Sequence, residues 1–128
     1  MLKVRHVMVK QVITAREGIA LQEAIEILYK KHIGSVVILD DEKKCVGIFT
    51  ERDAIRVTAQ KIPSATPLKE VMTRNVVTIG EDASLEEARR LIVERGIRHL
   101  PVVDQKGKLV GLFAVRGFLD EIFVKSSS

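Results

Sequence analysis

Two kinds of apolar pattern alternate along the chain. Leu21, Ala24, Ile25 and Leu28 follow the i, i+3, i+4, i+7 spacing of one buried helical stripe. Leu85, Ala88, Leu91 and Ile92 draw the same kind of stripe, and Ser84 with Glu87 predicts a capping box where that second helix begins. The runs Val36-Val37-Ile38-Leu39 and Leu100-Pro101-Val102-Val103 are apolar without interruption. They are too short for helices and match strands covered on both faces. Further strands are predicted at 12–14 and 45–49, and again at 76–79 and 109–113. The polar stretches 40–44 and 104–108 are short turns, so each makes an antiparallel hairpin of the strands it joins. A closing helix of about ten residues is predicted from near Thr50 and from near Ala114, the latter with Phe118, Leu119, Ile122 and Phe123 as apolar positions.

This order occurs twice because the chain is a duplication. Met8 aligns with Met72, an offset of 64 residues (72 − 8). The same offset pairs Thr14 with Thr78, Leu21 with Leu85, Ile33 with Ile97, Asp40 with Asp104, Gly47 with Gly111 and Phe49 with Phe113, and no gap is needed. Two βαββα repeats follow, 1–62 and 63–128, joined by a connector at 60–67 that carries two prolines. The expected class is α+β. One repeat alone leaves an apolar sheet face bare, so the two are expected to pack sheet to sheet about a pseudo-two-fold axis, with a cleft between them.

Composition narrows the function. Net charge is +4, which suits an anionic ligand, but the basic residues are interleaved with acidic ones and form no long track. With four Phe, one Tyr and no Trp, stacking platforms for nucleic acid are scarce. Cys45 is the single cysteine, which excludes an intrachain disulfide and a cysteine-based zinc cluster and fits a reducing compartment, the cytoplasm. It reads as strand packing. His6 and His32 read as surface residues, and three scattered histidines make no metal site. Apolar stretches stay well under the roughly 18 residues of a membrane span. With no nucleophile–base–orienter set and no phosphate loop, the chain is expected not to be an enzyme. Met8 and Met72 read as core plugs, and Gly47 and Gly111, inside strands, as sites of close approach by a ligand or a neighbouring sheet.

Several strings carry a family resemblance: Val7-Met8 and Val71-Met72-Thr73 at the start of each copy, Gly34-Ser35-Val36-Val37, the stretch from Gly96 to Asp104, and Gly47-Ile48-Phe49-Thr50-Glu51-Arg52-Asp53. Together, in two in-register copies, they resemble the CBS family, regulatory modules named for cystathionine beta-synthase. The resemblance implies a tandem CBS pair that binds AMP, ADP or ATP, or alternatively S-adenosylmethionine. It implies no cofactor, a disc-like homodimer, and an as yet unidentified regulated protein as partner.

The family's ribose signature, a Gly, then Thr or Ser, then Asp, is intact in the first repeat as Gly47, Thr50 and Asp53. The resemblance implies that Asp53 accepts both ribose hydroxyls while Thr50 stands at a helix start that favours phosphate. Thr-x-x-Asp is also close to a plain capping box, and that alternative stays open. Arg98 and His99 are implied as phosphate donors, and Val76, Val77, Thr78 and Pro101 as the adenine wall. Arg98 reads equally as a solvated charge at a strand edge, and His99 as a satisfied, half-buried histidine. The second cleft would draw on Thr14, Gly34 and Ser35 facing Ala114 and Gly117, where the signature is lost. One competent site per chain is expected, and Asp53→Ala is expected to weaken nucleotide binding with folding intact. A nucleic-acid-binding protein is the competing class.

Overall fold

The computed structural model of the chain describes residues 1–115. Its elements are α1 (Val4–Val7), β1 (Thr14–Arg16), α2 (Leu21–Lys31), β2 (Ser35–Leu39), β3 (Cys45–Thr50), α3 (Glu51–Ala59), a 3₁₀ turn (Leu68–Glu70), β4 (Ile79–Gly80), α4 (Leu85–Arg95), β5 (His99–Val103) and β6 (Leu109–Ala114). They form two compact units, a first of Val12–Val76 and a second of Met1–Gln11 with the chain from Val77 onward.

Each unit holds one three-stranded sheet. In the first the order is β1-β2-β3, in the second β4-β5-β6, with the first pair parallel and the second antiparallel in both. The hairpin bulge falls between Ile38 and Leu39 in one sheet and between Val102 and Val103 in the other, again 64 residues apart. Both turns close alike. Asp40 Oδ1 accepts the N–H groups of Glu42 and Lys44, and Asp104 Oδ1 those of Lys106 and Lys108. The left-handed position in each turn is Lys43 (φ 65°) in the first and Gly107 (φ 83°) in the second.

The apolar stripes land where their spacing put them. Leu21, Ala24 and Leu28 of α2 pack with Val36, Ile38, Phe49 and Val57, and Ala88 and Ile92 of α4 with Leu100, Val102 and Phe113. Ser84 Oγ accepts the Glu87 N–H at 3.1 Å at the start of α4. Left-handed residues stop both helices: His32 (φ 54°) after α2 and Gly96 (φ 61°) after α4.

The units are not cut where the repeats are cut. Leu68, Val71 and Met72 belong to the first core, and Val4 to the second. Leu68 N–H donates to Ile19 O and Lys69 N–H to Glu17 O, while Val4 N–H donates to Ala83 O and Arg5 N–H to Glu81 O. Each unit is thus completed by the opening segment of the other repeat. An isolated antiparallel bridge joins Thr73 to Ile48 in the first unit and Val9 to Leu112 in the second.

Three local readings shift. The strands expected at 12–14 and 76–79 are found at Thr14–Arg16 and Ile79–Gly80, because pairing begins only where β2 and β5 offer partners, Val37 for Thr14 and Val102 for Ile79. Thr78 therefore precedes its strand. The short helix α1 has no counterpart among the predicted elements. Gly117 and the second closing helix with Phe118, Leu119, Ile122 and Phe123 lie outside the described residues.

Candidate functional site

The β3–α3 junction gathers the polar chemistry of the first unit. Thr50 ends β3 in extended geometry and is the N-cap of α3. Its Oγ1 accepts the Asp53 N–H at 3.3 Å, and Asp53 Oδ2 accepts the Thr50 N–H at 2.9 Å, a reciprocal capping box. Thr50 Oγ1 also donates to Asp53 Oδ2 at 3.2 Å. The capping reading of Thr-x-x-Asp is therefore realised in full.

Asp53 is only 7% exposed. Thr73 Oγ1 lies 3.1 Å from Oδ1 and 3.3 Å from Oδ2, and Arg56 Nη2 lies 3.5 Å from Oδ1. Arg56 Nη2 donates more closely, at 2.6 Å, to Val71 O. A carboxylate buried among four donors shapes local structure, so its removal should cost stability even where the chain still folds. Neither Thr73 nor Arg56 was singled out from the sequence as a site residue. Their signal was present in the offset: Val9 stands where Thr73 would repeat, beside the loss of Thr50 to Ala114.

Ser35 is the direct cross-strand partner of Thr50, and Gly34 O accepts the Glu51 N–H at 3.1 Å. These residues, assigned from the sequence to separate clefts, are neighbours on one sheet. Ser35 is 5% exposed and its Oγ has no hydrogen-bond partner among the described residues. Thr14 is exposed at the start of β1, paired with Val37. Val76 lies in the same unit, half-buried and ahead of any strand.

The remaining candidates sit in the second unit. His99 starts β5, half-buried, directly opposite Ala114 at the end of β6. Exposed Arg98 precedes it and gives its carbonyl to Val115 N–H at 3.1 Å. Pro101 is fully buried in β5 opposite Leu112. Val77 and Thr78 are half-buried ahead of β4.

Gly47, the first residue of the ribose signature, serves packing. A methyl added there would run into Met72 Sδ, and one added at Gly111 into Met8 Sδ. The close approach expected at these glycines is made by the methionine plugs, joined at Gly111 by the Val9 carbonyl oxygen. Burial pushes the Cys45 thiol above its usual range. A groove of about 390 Å³ beside α2 and α3 is lined by Ile25, Leu28, Tyr29, His32, Glu51 and Ile55 among others, but neither Thr50 nor Asp53 lines it. No helix of the described residues is long and apolar enough to cross a membrane, and no group of three or more His, Cys, Asp or Glu among them is placed to hold a metal ion.

The family model described as the CBS domain matches residues 4–59 and again 68–124. The chain belongs to the CBS domain family. It is a tandem CBS pair, with both matches in the register that the 64-residue offset set. An uncharacterised protein of Methanopyrus kandleri is 41% identical over 107 residues, which cover 80% of this chain and 55% of that protein. The CBS domain-containing protein YhcV of Bacillus subtilis is 35% identical over 90% of this chain and 81% of its own length. The chain thus spans about half the length of the first of these relatives.

Among solved structures, the CBS domain pair of protein MJ0100, in complex with 5′-methylthioadenosine and S-adenosyl-L-methionine, superposes with a TM-score of 0.83 at 31% identity. It covers 99% of this chain and 96% of that one. CBSX2 in complex with AMP superposes with a TM-score of 0.78 at 25% identity over the full length of both chains. Both of these structures therefore hold adenosine-containing ligands. The inosine-5′-monophosphate dehydrogenase of Methanocaldococcus jannaschii is matched at 35% identity over only 23% of its length.

Proposed function

We propose that this chain is a non-catalytic regulatory module that binds an adenine nucleotide of the AMP, ADP or ATP class, with the ribose held at Asp53 and Thr50. The observation that carries this reading is the Asp53 carboxylate itself. It is buried, ringed by donors and set at the N-terminus of α3, in the one repeat that keeps the signature. A carboxylate accepts the two hydroxyls of a vicinal diol together, and the positive end of the α3 dipole favours phosphate nearby. Family resemblance adds Arg98 and His99 for the phosphate and Val76, Val77, Thr78 and Pro101 for the base.

The relatives' ligands, AMP in one and S-adenosylmethionine with methylthioadenosine in another, have the adenosine ribose in common. S-adenosylmethionine is therefore the second reading, favoured by the structure with the higher TM-score. A homodimer acting on a separate regulated protein completes the proposal, in the cytoplasm.

Calorimetry with AMP, ADP, ATP and S-adenosylmethionine tests it. Wild type should bind at least one of them, and Asp53→Asn should bind that ligand at least tenfold more weakly while keeping the wild-type circular dichroism. Equal affinity in the variant removes Asp53 from the site. No binding of any of the four removes the adenosyl reading altogether.

A further inference from the structure

Near-equal spacing from both oxygens puts Thr73 Oγ1 in the open mouth of the Asp53 carboxylate, 3.1 Å from Oδ1 and 3.3 Å from Oδ2. A donor beside the group would be near one oxygen and far from the other, and the space behind it is filled by the Asp53 side chain itself. The mouth is the position that the paired hydroxyls of a ribose must reach to bond both oxygens. On the other flank, Oδ2 is already held by the Thr50 N–H and hydroxyl, and those bonds belong to the α3 cap. A carboxylate has about four acceptor directions, so little capacity is left for two more donors.

Resting on the reading of Asp53 as the ribose acceptor, we propose that the Thr73 hydroxyl is a built-in occupant of the diol position, which the ligand must displace to bind. Thr73 is suited to leave. It comes in from an exposed backbone position and is held by the paired bonds with Ile48, so its side chain can rotate away while its backbone stays paired. Its release would also free the Val71–Thr73 stretch from Asp53, leaving Arg56 bound to Val71 O as the remaining side-chain tie. That stretch leads straight into the boundary between the two units at Val76 and Val77.

The second repeat supports the pairing of functions. Where the carboxylate position reads Gly117 and the hydroxyl position Ala114, the occupant position reads Val9, so all three polar groups are missing together. Val9 nevertheless makes the same two backbone bonds, with Leu112, that Thr73 makes with Ile48. Valine is therefore compatible with this backbone.

Thr73→Val is the test, with Thr73→Ser as the control that keeps the hydroxyl. Calorimetry uses AMP and 2′,3′-dideoxyadenosine monophosphate, which lacks the diol. Removing one competing hydroxyl should tighten AMP binding by about three- to tenfold. Thr73→Ser should bind as wild type does, and the dideoxy analogue should show no gain. Unchanged or weaker AMP binding by Thr73→Val overturns the inference and leaves the ribose reading in place. An equal gain for both ligands overturns it as well, since the effect would not act through the diol. If wild type and Thr73→Val both fail to bind AMP or any other adenosyl ligand, the ribose reading fails and the inference falls with it.

Discussion

Met72 seats its sulfur against the α-carbon of Gly47, in the space a β-carbon would occupy. Met8 and Gly111 stand in the same relation 64 residues away in register. The three atoms nearest a methyl at Gly47 all belong to the flexible Met72 side chain, whereas one at Gly111 also meets the Val9 carbonyl oxygen at 3.0 Å. Overpacking of a core costs about 1–3 kcal/mol. Gly47→Ala should fall near the lower end of that range and Gly111→Ala near the upper. Urea unfolding of the two variants measures the difference, and a reversed order would mean that the Val9 backbone yields more readily than the Met72 side chain.

Lys43 occupies a left-handed conformation (φ 65°) that its counterpart in the other hairpin, Gly107, adopts without a side-chain penalty. That conformation costs a non-glycine residue about 1–2 kcal/mol, part of which glycine gives back as greater freedom in the unfolded chain. Lys43→Gly should stabilise the protein by about 0.5–1 kcal/mol net. Thermal and urea unfolding read the gain, and Gly107→Lys should move the melting point the other way.

Asp53 ties together the cap of α3, the hydroxyl of Thr73 and the guanidinium of Arg56. Truncation leaves the Thr50 N–H without its side-chain acceptor and the Thr73 hydroxyl without its partner. Asp53→Ala should fold but lose about 1–3 kcal/mol of stability. Asp53→Asn, which keeps an acceptor oxygen, should lose less. Chemical denaturation of both variants without ligand separates this structural cost from any effect on binding.

Acid should weaken the second hairpin through Asp104. Its carboxylate accepts the Lys108 and Lys106 N–H groups, which hold its pKa below the usual Asp value of 3.8. A depressed folded-state pKa adds stability that is present above the unfolded value and is lost as pH falls through the folded one. Unfolding measured from pH 5 downward should therefore show a loss beginning near the ordinary Asp range. Asp104→Asn should flatten that part of the profile, and an unaltered acid limb would assign the loss to other carboxylates.

Much of this molecule is written locally. The 64-residue offset, the stripe from Leu21 to Leu28, the buried runs that become β2 and β5, and the Asp-led turns are all visible in the sequence, because each records a backbone period or a short-range bond. The Thr50–Asp53 pair was visible too, in both its readings, since the two residues are one helical turn apart. Which segment completes which unit was not. Val4 and Leu68 are each apolar and each lie near the start of a repeat, but nothing in their neighbourhood says that Leu68 closes the first core and Val4 the second. The Thr73 hydroxyl in the mouth of Asp53, and the methionine sulfurs on Gly47 and Gly111, depend on that exchange. Periodicity tells a residue's face on its own element, whereas a contact across 20 or more residues is set by the path of the whole chain, and only the folded core chooses between two near-identical places to pack.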